Sequence, residues 1–168
     1  TFWFEETCPE SWFKKDALFD DMLMQKFGRL VEQALAGQLD RWAQKKDGRL
    51  ALILLLDQMA RNIYRDTPKA FAGDEIACAL SLRSSADGTV EAETDINKRQ
   101  FFLMPMMHSE DLEIQKQSLP LFKKLTSDST YDYAIRHHYI IERFGRFPHR
   151  NKILKRPSSE KELAFLLQ

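Results

Sequence analysis

The stretch that decides the fold is residues 50–65, which read Leu-Ala-Leu-Ile-Leu-Leu-Leu-Asp-Gln-Met-Ala-Arg-Asn-Ile-Tyr-Arg. Its first half is apolar on every side of a helix, and a helix of that kind runs through the interior of a protein. We therefore predict a central helix over about 48–64, with Asp47 as its N-terminal cap. The second half of this helix places polar residues on one predicted face: Gln58, Arg61, Asn62 and Arg65.

Helical patterns continue on both sides of the central helix. Apolar residues recur at three- and four-residue steps before Gly37, and Thr67-Pro68 is typical of a helix start. After a polar loop over 86–95, further helices are predicted over 97–104 with Pro105 as the end, from Ser109 with a kink at Pro120, over 131–144, and after Ser158 or Ser159. No window alternates cleanly as a half-buried strand does. The predicted fold class is all-α, with about seven helices in an irregular antiparallel bundle and one domain over residues 1–168.

Composition excludes several classes of protein. The chain of 168 residues has 25 basic and 25 acidic side chains, so it has no overall charge that would attract nucleic acid or an anionic membrane. No run of about 18 apolar residues occurs, and no membrane-spanning helix is expected. Cys8 and Cys78 lie far apart and outside any C-x-x-C motif. They are predicted to be buried free thiols in a reducing compartment, which favours the cytoplasm.

Arg61 lies on a helix that is otherwise buried, and a buried arginine must pair with an acid or meet an anion. Asp57, four residues earlier, and Asp74 are its candidate partners. One interpretation is an internal network of arginines and acids, and the other is a site that uses the arginine to bind an anion.

A second polar motif, at 104–111, reads Met-Pro-Met-Met-His-Ser-Glu-Asp. A histidine beside two carboxylates suits proton transfer, so His108, Glu110 and Asp111 are candidate acid–base residues. The structural alternative has Ser109 capping the next helix while the two acids complement its dipole.

A third motif, at 143–151, reads Arg-Phe-Gly-Arg-Phe-Pro-His-Arg-Asn and lies in a basic region. Residues 134–157 contain seven arginines and lysines against one acid, Glu142, so charge is polarised along the chain. His137 and His138 fall on apolar helix faces and are predicted to be core residues. No H-E-x-x-H, cysteine cluster, P-loop or G-x-S-x-G occurs, so neither a metal nor a cofactor is predicted.

The three motifs occur in the same order in a known family. Residues 54–74, 104–111 and 143–151 closely resemble the bacterial domain-of-unknown-function-924 family, and the likeness extends from Phe2-Trp3-Phe4 to the final helix. The resemblance implies an all-helical fold similar to tetratricopeptide repeats and implies no established activity. The family has glycine at the position of Lys155.

Arginines, histidines and acids concentrated in apolar motifs favour a polar pocket for a small anionic ligand, such as a carboxylate or phosphate compound. The candidate binding residues are Gln58, Arg61, Asn62, Arg65, Arg143, Arg146 and Arg150. The candidate acid–base residues are His108, Glu110, Asp111 and His149. The alternative is a non-enzymatic tetratricopeptide-like module that binds a protein or, with less support, a nucleic acid through 143–156. A third hypothesis treats the motifs as internal networks that specify the core.

Overall fold

The computed structural model describes residues 2–167, and the predicted all-α class is confirmed. About 75% of the chain is helical, and the described part contains no strand. The α-helices within it are α1 (Ala17–Leu35), α2 (Lys46–Ile53), α3 (Ala60–Ile63), α4 (Asp74–Ala86), α5 (Thr89–Ala92), α6 (Ile96–Met107), α7 (Leu112–Leu125), α8 (Asp128–Phe144) and α9 (Glu160–Leu166). Within residues 2–167, no helix has the length and apolar character that crossing a membrane requires.

Residues 2–167 contain nine α-helices where about seven helices were predicted. The predicted central helix is divided because Leu54–Met59 forms a π-helical turn between α2 and α3, here called the π segment. The predicted loop over 86–95 contains the short helix α5. The similarity to tetratricopeptide helix pairs remains a prediction, and Thr1 and Gln168 of the predicted domain lie outside the described residues.

Several helix ends differ from those predicted. Gly37 and Gly145 do end helices in the left-handed conformation, with φ of 72° and 68°. The central helix, however, starts at Lys46 without a side-chain cap, so the prediction of Asp47 as its cap was wrong. Asp111, and not Ser109, caps α7 by accepting hydrogen bonds from the backbone N–H groups of residues 113 and 114.

Both prolines that were expected to interrupt helices lie inside them. Pro105 is within α6 and Pro120 is within α7. Pro120 is exposed, so water can solvate a carbonyl that its missing N–H leaves unpaired. Burial of the whole stretch from Phe101 to Met107 outweighs the local cost of Pro105, because tertiary packing overrides helix propensity.

The central helix lies in the core, as its apolar sequence predicted. Its π segment packs against α1 and α4, while α2 packs against α4 and α6. On α6, the fully buried Phe101 ring contacts two tryptophans from the start of the chain, with ring centroids 5.8 Å away for Trp3 and 5.0 Å for Trp12. The first residues of the chain are thus part of the core.

A close approach of two backbones joins the π segment to α4. A Cβ atom added at Gly73 would lie 2.6 Å from the carbonyl oxygen of Leu56, so only glycine fits there. This contact places Asp74, the first residue of α4, beside Asp57 in the π segment. The two acids that the sequence suggested as partners of Arg61 are brought together in this way.

The two cysteines differ in accessibility, and the prediction that both are buried was wrong for Cys8. Cys78 is 7% exposed, and burial raises the pKa of its thiol to about 11, whereas Cys8 is exposed. We expect an aromatic disulfide reagent to label one thiol of the native protein at neutral pH and two after unfolding, because the thiolate is the reacting form. Rapid labelling of both thiols in the native protein would contradict this burial of Cys78.

Candidate ligand site

Asp57 is a fully buried carboxylate inside the π segment. Its Oδ1 lies 2.7 Å from His108 Nδ1 and 2.9 Å from Arg61 Nη1, and Gln58 Nε2 donates to its Oδ2 at 2.5 Å. Burial alone raises the pKa of Asp57, but the charges and hydrogen bonds of Arg61, His108 and Gln58 outweigh it. They hold the pKa well below its usual range, so Asp57 is a carboxylate at physiological pH.

Asp74 links the half-buried Arg61 to Arg150, which is buried. Arg61 Nη2 donates to Asp74 Oδ2 at 3.0 Å, and Arg150 Nη1 donates to the same oxygen at 2.9 Å. Arg150 Nη2 also donates to the carbonyl oxygen of His108 at 3.0 Å. The guanidinium of Arg150 lies over the rings of Phe71 and Phe147, at 4.6 and 4.7 Å from their centroids. The three sequence motifs therefore meet around this residue.

Glu110 joins the second motif to the third. It accepts two hydrogen bonds from Arg156, at 2.7 and 3.0 Å, and one at 2.7 Å from the backbone N–H of Phe147. Burial raises the pKa of Glu110, but the hydrogen bonds and charge of Arg156 more than offset this effect and lower it. The two hydrogen bonds from Arg156 fix the position of the Glu110 carboxylate, which in turn holds the basic region after α8 against the second motif.

A cavity of about 630 Å³ opens beside this cluster. It is lined by Pro68, Phe71, Ala72, Asp74, Glu75, Cys78, Ala79, Leu82, His108, Ser109, Glu110, Asp111, Ile114, Arg150 and Leu154. Among the described lining residues, the buried Nε of Arg150 has no hydrogen-bond partner, and the only side-chain bond of His108 is made by its Nδ1. Asp74 Oδ1 also makes no hydrogen bond, but it lies 2.9 Å from Arg61 Nη1 as an ion pair. Because the carboxylate of Asp57 is acceptor-only, His108 Nδ1 carries hydrogen, which leaves Nε2 as the reactive ring atom.

Two more histidines lie next to this cluster. The His137 ring is 6.1 Å from the His108 ring and 5.5 Å from the Phe147 ring, measured between centroids. Burial, followed by the charge of His108, lowers the pKa of His137 to about 4. Partial burial and the charge of Arg150 lower the pKa of the more exposed His149 to about 4 as well. Both are neutral at physiological pH, and neither lines the cavity.

Some predicted binding residues lie away from the cavity. Asn62 and Arg65 both bind Asp20 of α1, with Arg65 making two bonds at 2.6 and 2.9 Å. The predicted polar face is thus divided, since Arg61 binds Asp57 and Asp74 instead. Arg61 and Asn62 are consecutive residues, which project about 100° apart around a helix, so they reach different acids.

The first two arginines of the third motif form a separate group near α9. Arg146 makes two bonds to Glu162, at 2.7 and 2.9 Å, while Arg143 is exposed and lies over the rings of Phe144 and Phe165. The sequence grouped these arginines with Arg150, but the structure does not bring them to the same place. Spacing along a basic loop does not reveal which acid each arginine will meet.

Sequence reasoning also missed residues that shape the cavity. Asp57 was considered only as a partner of Arg61, and its contact with His108 was not foreseen. One sequence signal pointed to a buried role for Asp57, because this acid directly follows the apolar residues 50–56. Phe71 and Glu75 carried no comparable signal, because their placement depends on where α4 begins. Within residues 2–167, no group of three or more His, Cys, Asp and Glu side chains is arranged to hold a metal ion.

Comparison with known proteins gives the family. The model of the family described as "Bacterial protein of unknown function (DUF924)" matches residues 1–168. The chain belongs to this family. Among solved structures, the DUF924 chain is similar to a protein of unknown function from Agrobacterium tumefaciens, with 36% identity and a TM-score of 0.90. The match covers 97% of this chain and 92% of that one, and no curated protein matches.

Lys155 adopts the left-handed conformation with φ of 55°. The left-handed conformation destabilises the fold by about 1 kcal/mol when the residue has a Cβ atom. We expect Lys155→Gly to raise the free energy of unfolding by up to about 1 kcal/mol, measured by urea denaturation. Lys152→Gly, at an exposed position without positive φ, is the control and is expected to lower it. Equal losses in both variants would contradict the expectation.

Proposed function

We propose that the DUF924 chain binds a small carboxylate compound in the cavity beside Arg150 and His108. The observation that carries the proposal is the state of Arg150. This residue is only 6% exposed and lines the cavity, and its Nε has no hydrogen-bond partner among the described residues. A buried donor without an acceptor is costly, and the carboxylate of a ligand would supply that acceptor.

Close to Arg150 and His108, acidic and basic side chains are equal in number. Three acids, Asp57, Asp74 and Glu110, are matched by three arginines, Arg61, Arg150 and Arg156. A bound carboxylate adds one negative charge to this neutral set. The N–H of Arg150 Nε, which has no acceptor among the described residues, would donate a charge-assisted hydrogen bond to that carboxylate.

The outer part of the cavity favours a particular kind of carboxylate. Glu75 and Asp111 line the cavity and are exposed, whereas Arg150 is buried. A ligand that is anionic at its inner end and carries an amine at its outer end would satisfy both regions. Repulsion from the two exposed acids disfavours a phosphate, which carries more negative charge than a carboxylate.

His108 would be the residue that transfers the proton in any acid–base step at this site. Its Nδ1 is held by Asp57, and its Nε2 remains available, an arrangement that suits proton transfer. Glu110 is fixed by Arg156, Asp111 caps α7, and His149 does not line the cavity. Gln58 would act indirectly through its hydrogen bond to Asp57.

The alternative of a protein- or nucleic-acid-binding module has less support. It needs an exposed basic stretch at 143–156, and three of its cations are paired with acids: Arg146, Arg150 and Arg156. Arg143, Lys152 and Lys155 remain exposed. The proposal that the protein is cytoplasmic rests on its cysteine usage alone.

Thermal unfolding in the presence of single compounds tests the proposal. The compounds are simple carboxylates, 2-amino carboxylates and inorganic phosphate. At 100 times its Kd, a ligand stabilises by about 2.7 kcal/mol, which is roughly 5–10 °C for a chain of this size. We expect such a shift with a carboxylate, retention of the shift in Arg143→Gln, and its loss in His108→Gln. The absence of any shift, or equal shifts in both variants, would contradict the proposal.

A further inference from the structure

A second cavity, of about 480 Å³, shares no lining residue with the first. Its walls come from the first residues of the chain, from α1 and from the central helix. Apolar side chains form most of them, among them Phe2, Phe27, Leu30, Leu50, Leu54 and Met59. The volume and the apolar lining are those of sites that bind small molecules.

Trp3 provides an unsatisfied polar group in this apolar surrounding. It is 3% exposed and lines the cavity, and its indole Nε1 has no hydrogen-bond partner among the described residues. The neighbouring Trp12 is also buried, but its Nε1 donates to the carbonyl oxygen of Trp3 at 2.9 Å. Because buried N–H groups nearly always have an acceptor, the free indole N–H marks a place for an acceptor atom of a ligand.

The remaining polar residues of the cavity argue against a strongly charged ligand. Lys98 lines the cavity together with Glu5 and Asp47, so both signs of charge are present. Several of the apolar side chains are aromatic, and aromatic rings pack well against one another in edge-to-face arrangements. These features suit an uncharged aromatic molecule.

We propose that this cavity binds a small aromatic molecule with one uncharged hydrogen-bond acceptor, which receives the N–H of Trp3. The acceptor fixes the orientation of the molecule, and the apolar walls bury its ring. This site is separate from the carboxylate site, so neither proposal depends on the other.

Two probes of similar size separate the hydrogen bond from simple apolar burial. Acetophenone has a carbonyl acceptor, and ethylbenzene has none. We measure the Kd of each probe for the full chain by ligand-observed NMR titration. The wild-type protein is expected to bind both probes, and to bind acetophenone about fivefold more tightly because of one net hydrogen bond.

Matched variants identify the donor. Trp3→Phe removes the N–H and keeps an aromatic ring, so both probes should then bind with similar Kd values. Trp12→Phe is the control, since its N–H already has a partner, and the preference for acetophenone should persist. Within each variant, the Kd of acetophenone is compared with the Kd of ethylbenzene. A loss of stability would affect both values alike, so it would not change their ratio. No binding of either probe, or an unchanged preference in Trp3→Phe, would overturn the proposal.

Discussion

Replacement of Asp57 by asparagine is expected to lower the free energy of unfolding by about 3–5 kcal/mol, the usual result of removing one partner from a buried ion pair. Asparagine keeps the shape of the side chain but removes the negative charge. Arg61 would then lose the carboxylate that lies 2.9 Å from its Nη1, and His108 Nδ1 would lose a charged acceptor. Urea denaturation at neutral pH measures the loss.

Asp66→Asn is the matched control for this substitution. Asp66 pairs with Lys15 at 3.5 Å, and both side chains are more than two-thirds exposed. Exposed pairs of this kind contribute between about 0 and 1 kcal/mol, and asparagine tolerates the positive φ of this position. A loss in Asp57→Asn no greater than that in Asp66→Asn would contradict the role of the buried network.

The effect of Asp57 should also depend on pH in a defined direction. Its pKa in the folded protein lies below its value in the unfolded chain, so the ionised form stabilises the fold above the unfolded value of about 4. That contribution is lost as the pH falls through the folded pKa. The difference in stability between the wild-type protein and Asp57→Asn should therefore shrink below about pH 4. A difference that is constant with pH would contradict ionisation of Asp57.

Replacement of Gly73 by alanine is expected to lower the free energy of unfolding by about 1–3 kcal/mol, because the site has no room for a methyl group. The added Cβ would lie 2.6 Å from the carbonyl oxygen of Leu56 and 3.0 Å from its Cα. These are backbone atoms of the π segment, so they cannot move as a side chain would. Separation of α4 from this segment would also pull Asp74 away from Arg61 and Arg150.

Gly28→Ala provides the control for Gly73→Ala. A Cβ at Gly28 would meet the Sδ of Met24 at 2.7 Å, which is the flexible end of a side chain. Because alanine is favoured over glycine inside a helix by about 1 kcal/mol, Gly28→Ala should leave the stability unchanged or raise it. Thermal or urea unfolding compares the two variants. Equal stability of Gly73→Ala and Gly28→Ala would show that the close contact with Leu56 is not needed.

Elements with a clear local signal could be predicted from the sequence. The apolar spacing before Gly37, the glycine stop at Gly145 and the cap at Ser159 all depend on neighbouring residues, and each matches the structure. The capping box of Ser159 with Glu162, for example, involves two side chains three residues apart.

Features that depend on distant parts of the chain could not be predicted. The π segment begins in a run that is apolar on all sides of a helix. The spacing of apolar residues therefore could not show that the helix widens there, or which way the side chains after it point. Pairing of Arg150 with Asp74 and of Arg156 with Glu110 joins residues 76 and 46 positions apart. No local pattern specifies such pairs.

The central claim is that a carboxylate binds beside Arg150 and accepts the N–H of its Nε, which has no partner among the described residues. The most direct test is isothermal titration calorimetry of the most stabilising carboxylate with the wild-type protein, with Arg150→Lys and with Arg143→Lys. Lysine keeps the positive charge but lacks the planar guanidinium and its Nε–H. We expect the Kd to rise about tenfold or more in Arg150→Lys, the usual effect of losing one charge-assisted hydrogen bond, and to stay unchanged in Arg143→Lys, which replaces an exposed arginine outside the cavity. Equal Kd values in the two variants would contradict the claim.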